Sequence, residues 1–282
     1  MLYQWSKNLL LQRCPYKKGQ VIYENDKATV DDIVKLEANG VYEVTVVAGG
    51  GNGYNKFLGE GVYTHAATGG SGSAFVGEIP IIKGSYAVTV GGATQNSSAI
   101  GVTAYAGATA VYNNGGGAGG ALPTIPDNVV STTLHSAGNK GNYGRGGDGG
   151  DPAWIVGRTP SVYQPDLRRD EGNGSYTWKN TNYGYGAGNS CYSQEYKRTS
   201  LPALGGYVKI VYVRFIRNFV FEIRPNIPEA TVIINGQETK SFPAYEGTVM
   251  NYSVSLDGYT TQTGSVKLTN NVVLDIELTP VE

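Results

Sequence analysis

Apolar and polar residues alternate with a period of two in several stretches of the first 213 residues, which predicts β-strands. Residues 41–48 are rich in β-branched side chains and run directly into three glycines. Residues 74–82 and 85–90 follow, and the short glycine turn between them predicts a hairpin. The same pattern returns at residues 207–213. The glycine-rich segments therefore begin and end on strands that could share one sheet.

The flanking segments carry different patterns. Thr29 is followed three residues later by Asp32, an imperfect capping box that predicts at most one short helix, over residues 30–36. After residue 213, five short alternating runs recur with turn signals at Asn235-Gly236 and Asp257-Gly258. The runs are residues 219–223, 230–234, 248–254, 265–268 and 272–278. This spacing predicts a small antiparallel β-sandwich, and the whole chain is predicted to be all-β.

Glycine is the compositional outlier, at 41 of 282 residues against an average of about 7%. All but six of these glycines lie within residues 49–206, so the excess belongs to one region. The runs at 69–72, 115–120 and 144–150 have no strict third-residue repeat, which excludes a collagen triple helix. They are either flexible loops or extended polyproline II segments that the missing Cβ allows to pack side by side. Interleaved alanines favour the packed segments.

Charge and hydropathy exclude several classes of partner. The formal net charge is -1 and 16% of residues are charged, which leaves no basic surplus for nucleic acid or an anionic membrane. No stretch approaches the roughly 20 apolar residues of a membrane helix, and residues 9–11 are too short for a signal peptide. Cys14 and Cys191 are too few for a disulfide framework, so we expect free thiols.

Residues that support catalysis or metal binding are scarce. His65 and His135 have no second ligand at a useful spacing, so no metal or cofactor is expected. Asp148 and Asp151 fall short of a calcium loop. The Asp170-Glu171 pair leaves open a hydrolase that acts on surface glycan, although sequence neighbours do not establish two carboxyls across a cleft. We therefore expect a non-catalytic protein.

Tyrosine and tryptophan are concentrated with glycine, serine and asparagine in residues 143–196. This composition suits recognition, since tyrosine supplies a large contact area with few rotatable bonds. The alternative is a purely structural role, in which the aromatic rings pack between chains of an oligomer. The predicted receptor contacts are Tyr143, Trp154, Tyr163, Tyr176, Trp178, Tyr183, Tyr185 and Tyr192.

The order of strand and glycine blocks resembles the glycine-rich domain of bacteriophage tail fibres and related adhesins, over about residues 39–213. The blocks that carry this resemblance are residues 42–51, 75–91 and 206–210. The resemblance implies glycine-rich loops that display variable residues to a host surface. It also implies a virion protein that is assembled in the host cytoplasm and released by lysis.

Residues 219–280 resemble a PEGA-type surface module. The likeness lies in residues 230–236 and 258–266, whereas residues 242–247 match the usual proline turn only loosely. Three units are therefore predicted. They are an N-terminal segment at 1–38 that could anchor the chain to a particle, a glycine-rich β domain at 39–213 and a PEGA-like β-sandwich at 214–282.

These observations support three hypotheses for function. The first is a tail fibre or tail-tip component that binds a host cell-surface receptor such as a glycan. The second is a head fibre or capsid decoration protein, held to the shell by its N-terminal segment, and the third is the glycan hydrolase. Other virion proteins and further copies of the chain are the expected partners, and the tail-fibre resemblance implies a trimer. Neither nucleic-acid binding nor membrane insertion is expected.

Overall fold

The computed structural model describes residues 15–56, 65–111, 116–141, 143–145, 167–170, 177–180, 186, 191–194, 197–200 and 203–281. Every regular element within these ranges is a β-strand. The predicted all-β class is therefore confirmed.

Two sheets face each other across one hydrophobic core and form the first sandwich. The strands of the larger sheet are Val21–Asn25 (β1), Gly40–Val47 (β3), Ala74–Ile81 (β6), Ser131–Ser136 (β10) and Tyr207–Phe215 (β16). Their order is β1-β16-β3-β6-β10, and all neighbours are antiparallel. The strands of the smaller sheet are Thr29–Leu36 (β2), Gly84–Val90 (β7), Ser97–Ala99 (β8) and Val102–Ala104 (β9), in the order β2-β7-β8-β9.

Burial in the first sandwich differs between the two sheets. In β7 of the smaller sheet, Val88 and Val90 are buried in the core, whereas Ser85 and Ala87 are exposed. Strand β3 lies in the middle of its sheet and is buried along almost its whole length. The fully buried Tyr42 ring carries a polar tip, and its hydroxyl donates to the carbonyl oxygen of Ala38 at 2.7 Å. The predicted sharing of one sheet by residues 41–48, 74–82 and 207–213 is confirmed.

Two local predictions are wrong. Residues 30–36 form strand β2 and not a helix, because Val34 and Leu36 point into the core with a period of two. Asp31 has a φ of 56° at a register shift in this strand, which interrupts the alternation that would have identified it. Strands β6 and β7 do not form a hairpin, since β6 is paired on both edges by β3 and β10, and β7 by β2 and β8. The turn between them crosses from one sheet to the other.

Three small sheets lie within the described part of the glycine-rich region. Tyr54–Lys56 (β4), His65–Ala67 (β5) and Tyr143–Arg145 (β11) form the sheet β11-β5-β4. The other two are the antiparallel pairs of Leu167–Asp170 (β12) with Thr177–Asn180 (β13) and of Cys191–Gln194 (β14) with Lys197–Ser200 (β15).

Residues 218–281, here called the C-terminal module, form a second sandwich with its own core. Its strands are Asn218–Pro225 (β17), Thr231–Ile234 (β18), Gln237–Glu238 (β19), Ser241–Tyr245 (β20), Val249–Ser255 (β21), Gln262–Lys267 (β22) and Val272–Ile276 (β23). The sheets are β20-β17-β23 and β19-β18-β21-β22, and β17 pairs with β23 in parallel. All five predicted strands are present. The predicted Asn235-Gly236 turn has positive φ at both residues, as a type I′ hairpin requires.

The predicted division at residues 38 and 213 stays a prediction. Strands β1 and β2, within the predicted N-terminal segment, belong to the two sheets of the first sandwich. The anchoring role of residues 1–38 also stays a prediction, and residues 1–14 lie outside the described part of the chain.

Candidate functional site

The register of the central strands defines two ends of the first sandwich. Strand β3 finishes at Val47, beside Ala74 of β6 and Tyr207 of β16, and the glycine-rich segments start there. At the opposite end, β16 finishes at Phe215, which pairs with Gly40, and the C-terminal module follows. We call these the glycine end and the module end.

Extended segments pack side by side beyond the glycine end without forming regular sheets. They are residues 49–52, 68–73, 105–110, 116–121 and 137–141, and we call them the glycine bundle.

The hydrogen bonds of the glycine bundle repeat every three residues. The four successive amides of segment 70–73 donate, in order, to the carbonyl oxygens of Ala108, Asn139, Gly186 and Tyr105 at 2.8 to 3.0 Å. The fourth acceptor lies on the same segment as the first, three residues away. Three residues per turn is the period of a polyproline II helix. The described segments are therefore packed polyproline II helices, the second of the two predicted alternatives.

Close backbone packing explains why these segments are built from glycine. A Cβ on Gly70 would lie 1.9 Å from the carbonyl oxygen of Ala118, and one on Gly107 would lie 2.0 Å from that of Gly70. Both distances are far below van der Waals contact, and the obstructing atoms belong to the backbone. The bundle is thus a tightly packed support in which side chains are excluded from the contact points.

The glycine bundle connects the first sandwich to the small sheet β11-β5-β4. Segment 49–52 runs from β3 to β4, segment 68–73 runs from β5 to β6, and segment 137–141 runs from β10 to β11. The small sheet therefore lies at the far side of the bundle, away from the module end.

Some of the predicted receptor contacts lie on strands near this sheet. Tyr143 in β11 lies opposite Ala67 of β5, and Tyr54 in β4 lies opposite the same residue from the other side. Strand β14, which carries Tyr192, lies against β4 and β5. Trp178 lies in β13, paired with β12. The predicted contacts that lie outside the described residues are Trp154, Tyr163, Tyr176, Tyr183 and Tyr185.

The structure thus brings the strands of Tyr143 and Tyr192 to one end of the molecule, whereas receptor contact by these residues stays a prediction. Tyr54 shares this small sheet with Tyr143 but was not among the predicted contacts, although it also follows a glycine run.

A second polar feature joins the first sandwich to the C-terminal module. The carboxylate of Glu246 is 5% exposed and accepts from the Arg214 guanidinium of β16 at 2.5 Å and from the Arg217 amide at 2.8 Å. The hydrogen bond that the Arg214 guanidinium donates to the Glu246 carboxylate raises the pKa of Arg214 above its ordinary value. The Lys267 ammonium of β22 also donates to the carbonyl oxygen of Val129 in the first sandwich. We call these contacts the joint.

Sequence reasoning missed the joint. Its signal was Glu246 itself, a charged residue in residues 242–247, where the PEGA resemblance was weakest. A lone acid in an apolar run is often paired when buried, but its partner could not be named without the fold.

The described part of the chain holds no group of three side chains that could bind a metal ion. The His135 ring is hydrogen-bonded through Nε2 to the carbonyl oxygen of Pro123 at 2.7 Å and packs edge-on against Phe75. Asp170 lies in β12 opposite Thr177, while Glu171, Asp148 and Asp151 lie outside the described residues. Within the same ranges, no helix is long and apolar enough to cross a membrane.

Comparison with known proteins finds a family match for the C-terminal module. Residues 218–280 match the family model described as "Head fiber dimeric protein-like domain". Over 60 residues the chain is 38% identical to the "Head fiber dimeric protein" of Bacteroides phage crAss001. The module is similar to a phage head-fibre domain. The alignment covers 21% of this chain and 49% of the phage protein, so the chain spans about half the length of that relative.

The head-fibre-like match coincides with one structural unit, since residues 218–280 contain β17 to β23 and the whole second core. The similarity to phage proteins, which was predicted from the glycine-rich blocks, is thus supported by the match of the C-terminal module. The matched family is a head-fibre family. The comparison therefore does not support the predicted PEGA resemblance of this module.

Proposed function

We propose that this chain is a non-catalytic structural protein of a phage virion and that it forms part of a head fibre. The observation that carries this proposal is the match of the complete C-terminal module to a head-fibre family. Of the hypotheses drawn from the sequence, the head-fibre alternative has stronger support than the tail fibre. A structural fibre family also favours the non-catalytic hypothesis over the glycan hydrolase.

The arrangement of the two sandwiches suits a projecting fibre. The module end carries the head-fibre-like module, and the glycine bundle lies at the opposite end of the first sandwich. The joint fixes the module to the sandwich through an ion pair between the buried Glu246 and the half-buried Arg214. We therefore propose that the module contacts other virion proteins and that the glycine bundle projects away from the shell.

Self-association is part of this proposal. The similar phage protein is named dimeric, and the family model that matches the C-terminal module carries the same word in its description. A dimer through this module is accordingly preferred to the trimer that the tail-fibre resemblance implied.

Immunogold labelling of purified virions tests the head location. An antibody against the C-terminal module should label the capsid surface in wild-type virions and should not label virions from a phage that lacks the gene. Gold confined to the tail, with the same deletion control, would refute the head-fibre assignment and favour the tail-fibre hypothesis.

The second candidate function is receptor binding at the far side of the glycine bundle, which the aromatic strands there favour. Replacing Tyr143 and Tyr192 with serine should then slow adsorption of virions to host cells about tenfold, because a few aromatic anchors dominate most interfaces. The adsorption rate constant is the measurement. The double substitution Val30→Ser with Ile33→Ser, at two exposed apolar residues of β2 in the first sandwich, is the control and should adsorb normally. Equal rates for all three virions would exclude a receptor role for these tyrosines.

A further inference from the structure

The edges of the C-terminal module differ in how far they are protected from pairing with another strand. The edge strand β20 contains Pro243, which cannot donate to a ladder. The edge strand β22 is tied to the first sandwich through Lys267, and β19 has only two residues. Strand β23 has neither proline nor lysine, and no strand of the described chain covers its second edge. It is the unprotected edge of the module.

The side chains of β23 also leave apolar surface uncovered. Val272, Leu274 and Ile276 pack against the module core but remain half-buried, although they face inward. Val273 points to the other face and is 45% exposed. A strand added beside β23 would cover these four side chains and would extend the core, which is a favourable burial of apolar area.

We propose that β23 pairs with β23 of a second copy of this chain, antiparallel, about a twofold axis at Leu274. This inference rests on the proposed self-association of the chain. The sheet β20-β17-β23 of each copy would continue into that of the other, and the core of each module would meet the other at Leu274. The contact is isologous, so it closes as a dimer and does not propagate.

Charge placement selects one register. An axis at Leu274 pairs Val272 with Ile276 and Val273 with Asp275 of the second copy, and it uses all five residues of β23. A shift of two residues one way would place the two Asp275 carboxylates directly opposite each other, which is unfavourable. The opposite shift would pair Ile276 with Asn270 and leave an inward apolar residue against an amide. Alternative registers differ by two residues because side chains that pair across two strands must lie on the same face of the sheet.

Charge substitutions in the full-length chain test this register. Val273→Glu would place a second carboxylate directly opposite Asp275 of the other copy, twice by symmetry, and should raise the dimer dissociation constant about tenfold. Val273→Lys should keep or tighten the dimer. The double substitution Val273→Glu with Asp275→Lys restores opposite charges and should recover the dimer. The matched control is Val220→Glu, whose parent residue is 41% exposed on the central strand of the same sheet.

Analytical ultracentrifugation over a range of concentrations measures the dissociation constant, and circular dichroism confirms that each variant is folded. Val273 also lies beside Glu222 of its own chain, so Val273→Glu adds a like-charge repulsion within each monomer and can lower its melting temperature. A fall in melting temperature alone is therefore not evidence that the dimer is lost. The pairing would be overturned if the wild-type chain were monomeric or trimeric. It would also be overturned if Val273→Glu and Val220→Glu formed equally tight dimers. Neither result would change where the antibody labels the virion. A dimer with the expected charge dependence, together with gold only on the tail, would refute the head location and keep the β23 contact.

Discussion

The substitution Gly70→Ala should unfold the glycine bundle or severely destabilise the chain. The added Cβ would lie 1.9 Å from the carbonyl oxygen of Ala118 and 2.4 Å from its carbonyl carbon. These are backbone atoms of a packed segment, so relief requires the segments to separate and their hydrogen bonds to break. We expect the free energy of unfolding to fall by about 3 kcal/mol or more, at the upper end of overpacking effects. Differential scanning calorimetry of the full chain measures the change.

Gly205→Ala is the matched control for this experiment. Gly205 lies in the same glycine-rich region, but a Cβ there would meet its nearest atom, the carbonyl oxygen of Gly91, at an ordinary 3.5 Å. This variant should melt close to the wild-type temperature. If Gly70→Ala melts as Gly205→Ala does, segment 68–73 is not packed as described and the glycine-rich region is a set of loops.

The substitution Glu246→Ala should release the joint. It leaves the Arg217 amide and the Arg214 guanidinium without their shared acceptor, in a place where Glu246 itself is almost fully buried. Loss of a buried charged acceptor destabilises by about 2 to 3 kcal/mol, and the partial exposure of Arg214 favours the lower figure. Amide hydrogen exchange should show faster exchange at Arg217, and calorimetry should show a lower melting temperature.

An exposed ion pair in the same module provides the control. Glu222 accepts from Arg224 at 2.7 Å, but its side chain is 36% exposed and that of Arg224 is 60% exposed, so Glu222→Ala should change stability little. Exchange at Arg217 should match the wild-type rate in this variant. Protection at Arg217 that survives Glu246→Ala would contradict the structure of the joint.

Alternation of apolar and polar residues was enough to predict β3, β6, β7 and β16 of the first sandwich and five strands of the C-terminal module. Residues 41–48 and 207–213 correspond to β3 and β16, and the five runs of the C-terminal module each correspond to a strand. The failure at residues 30–36 has a local cause, since the register shift near Asp31 breaks the period. The false hairpin has a different cause, because the choice between pairing and crossing depends on which neighbours occupy each edge.

The glycine bundle could be suspected but not built from the sequence. Glycine has no side chain, so a packed segment and a flexible loop have the same apolar pattern. The segments that meet are far apart along the chain, as Ser71 and Asn139 are, and the sequence holds no sign of that pairing. The joint was hidden for the same reason, since Arg214 and Glu246 become neighbours only through the two sandwiches.

We propose that the chain is part of a head fibre whose glycine bundle points away from the shell. Electron microscopy of virions labelled separately with antibodies to the C-terminal module and to the glycine bundle tests both the location and the orientation. We predict that both labels decorate the capsid and that the bundle label lies farther from the shell than the module label. Labels on the tail, or a bundle label nearer the shell, would contradict it.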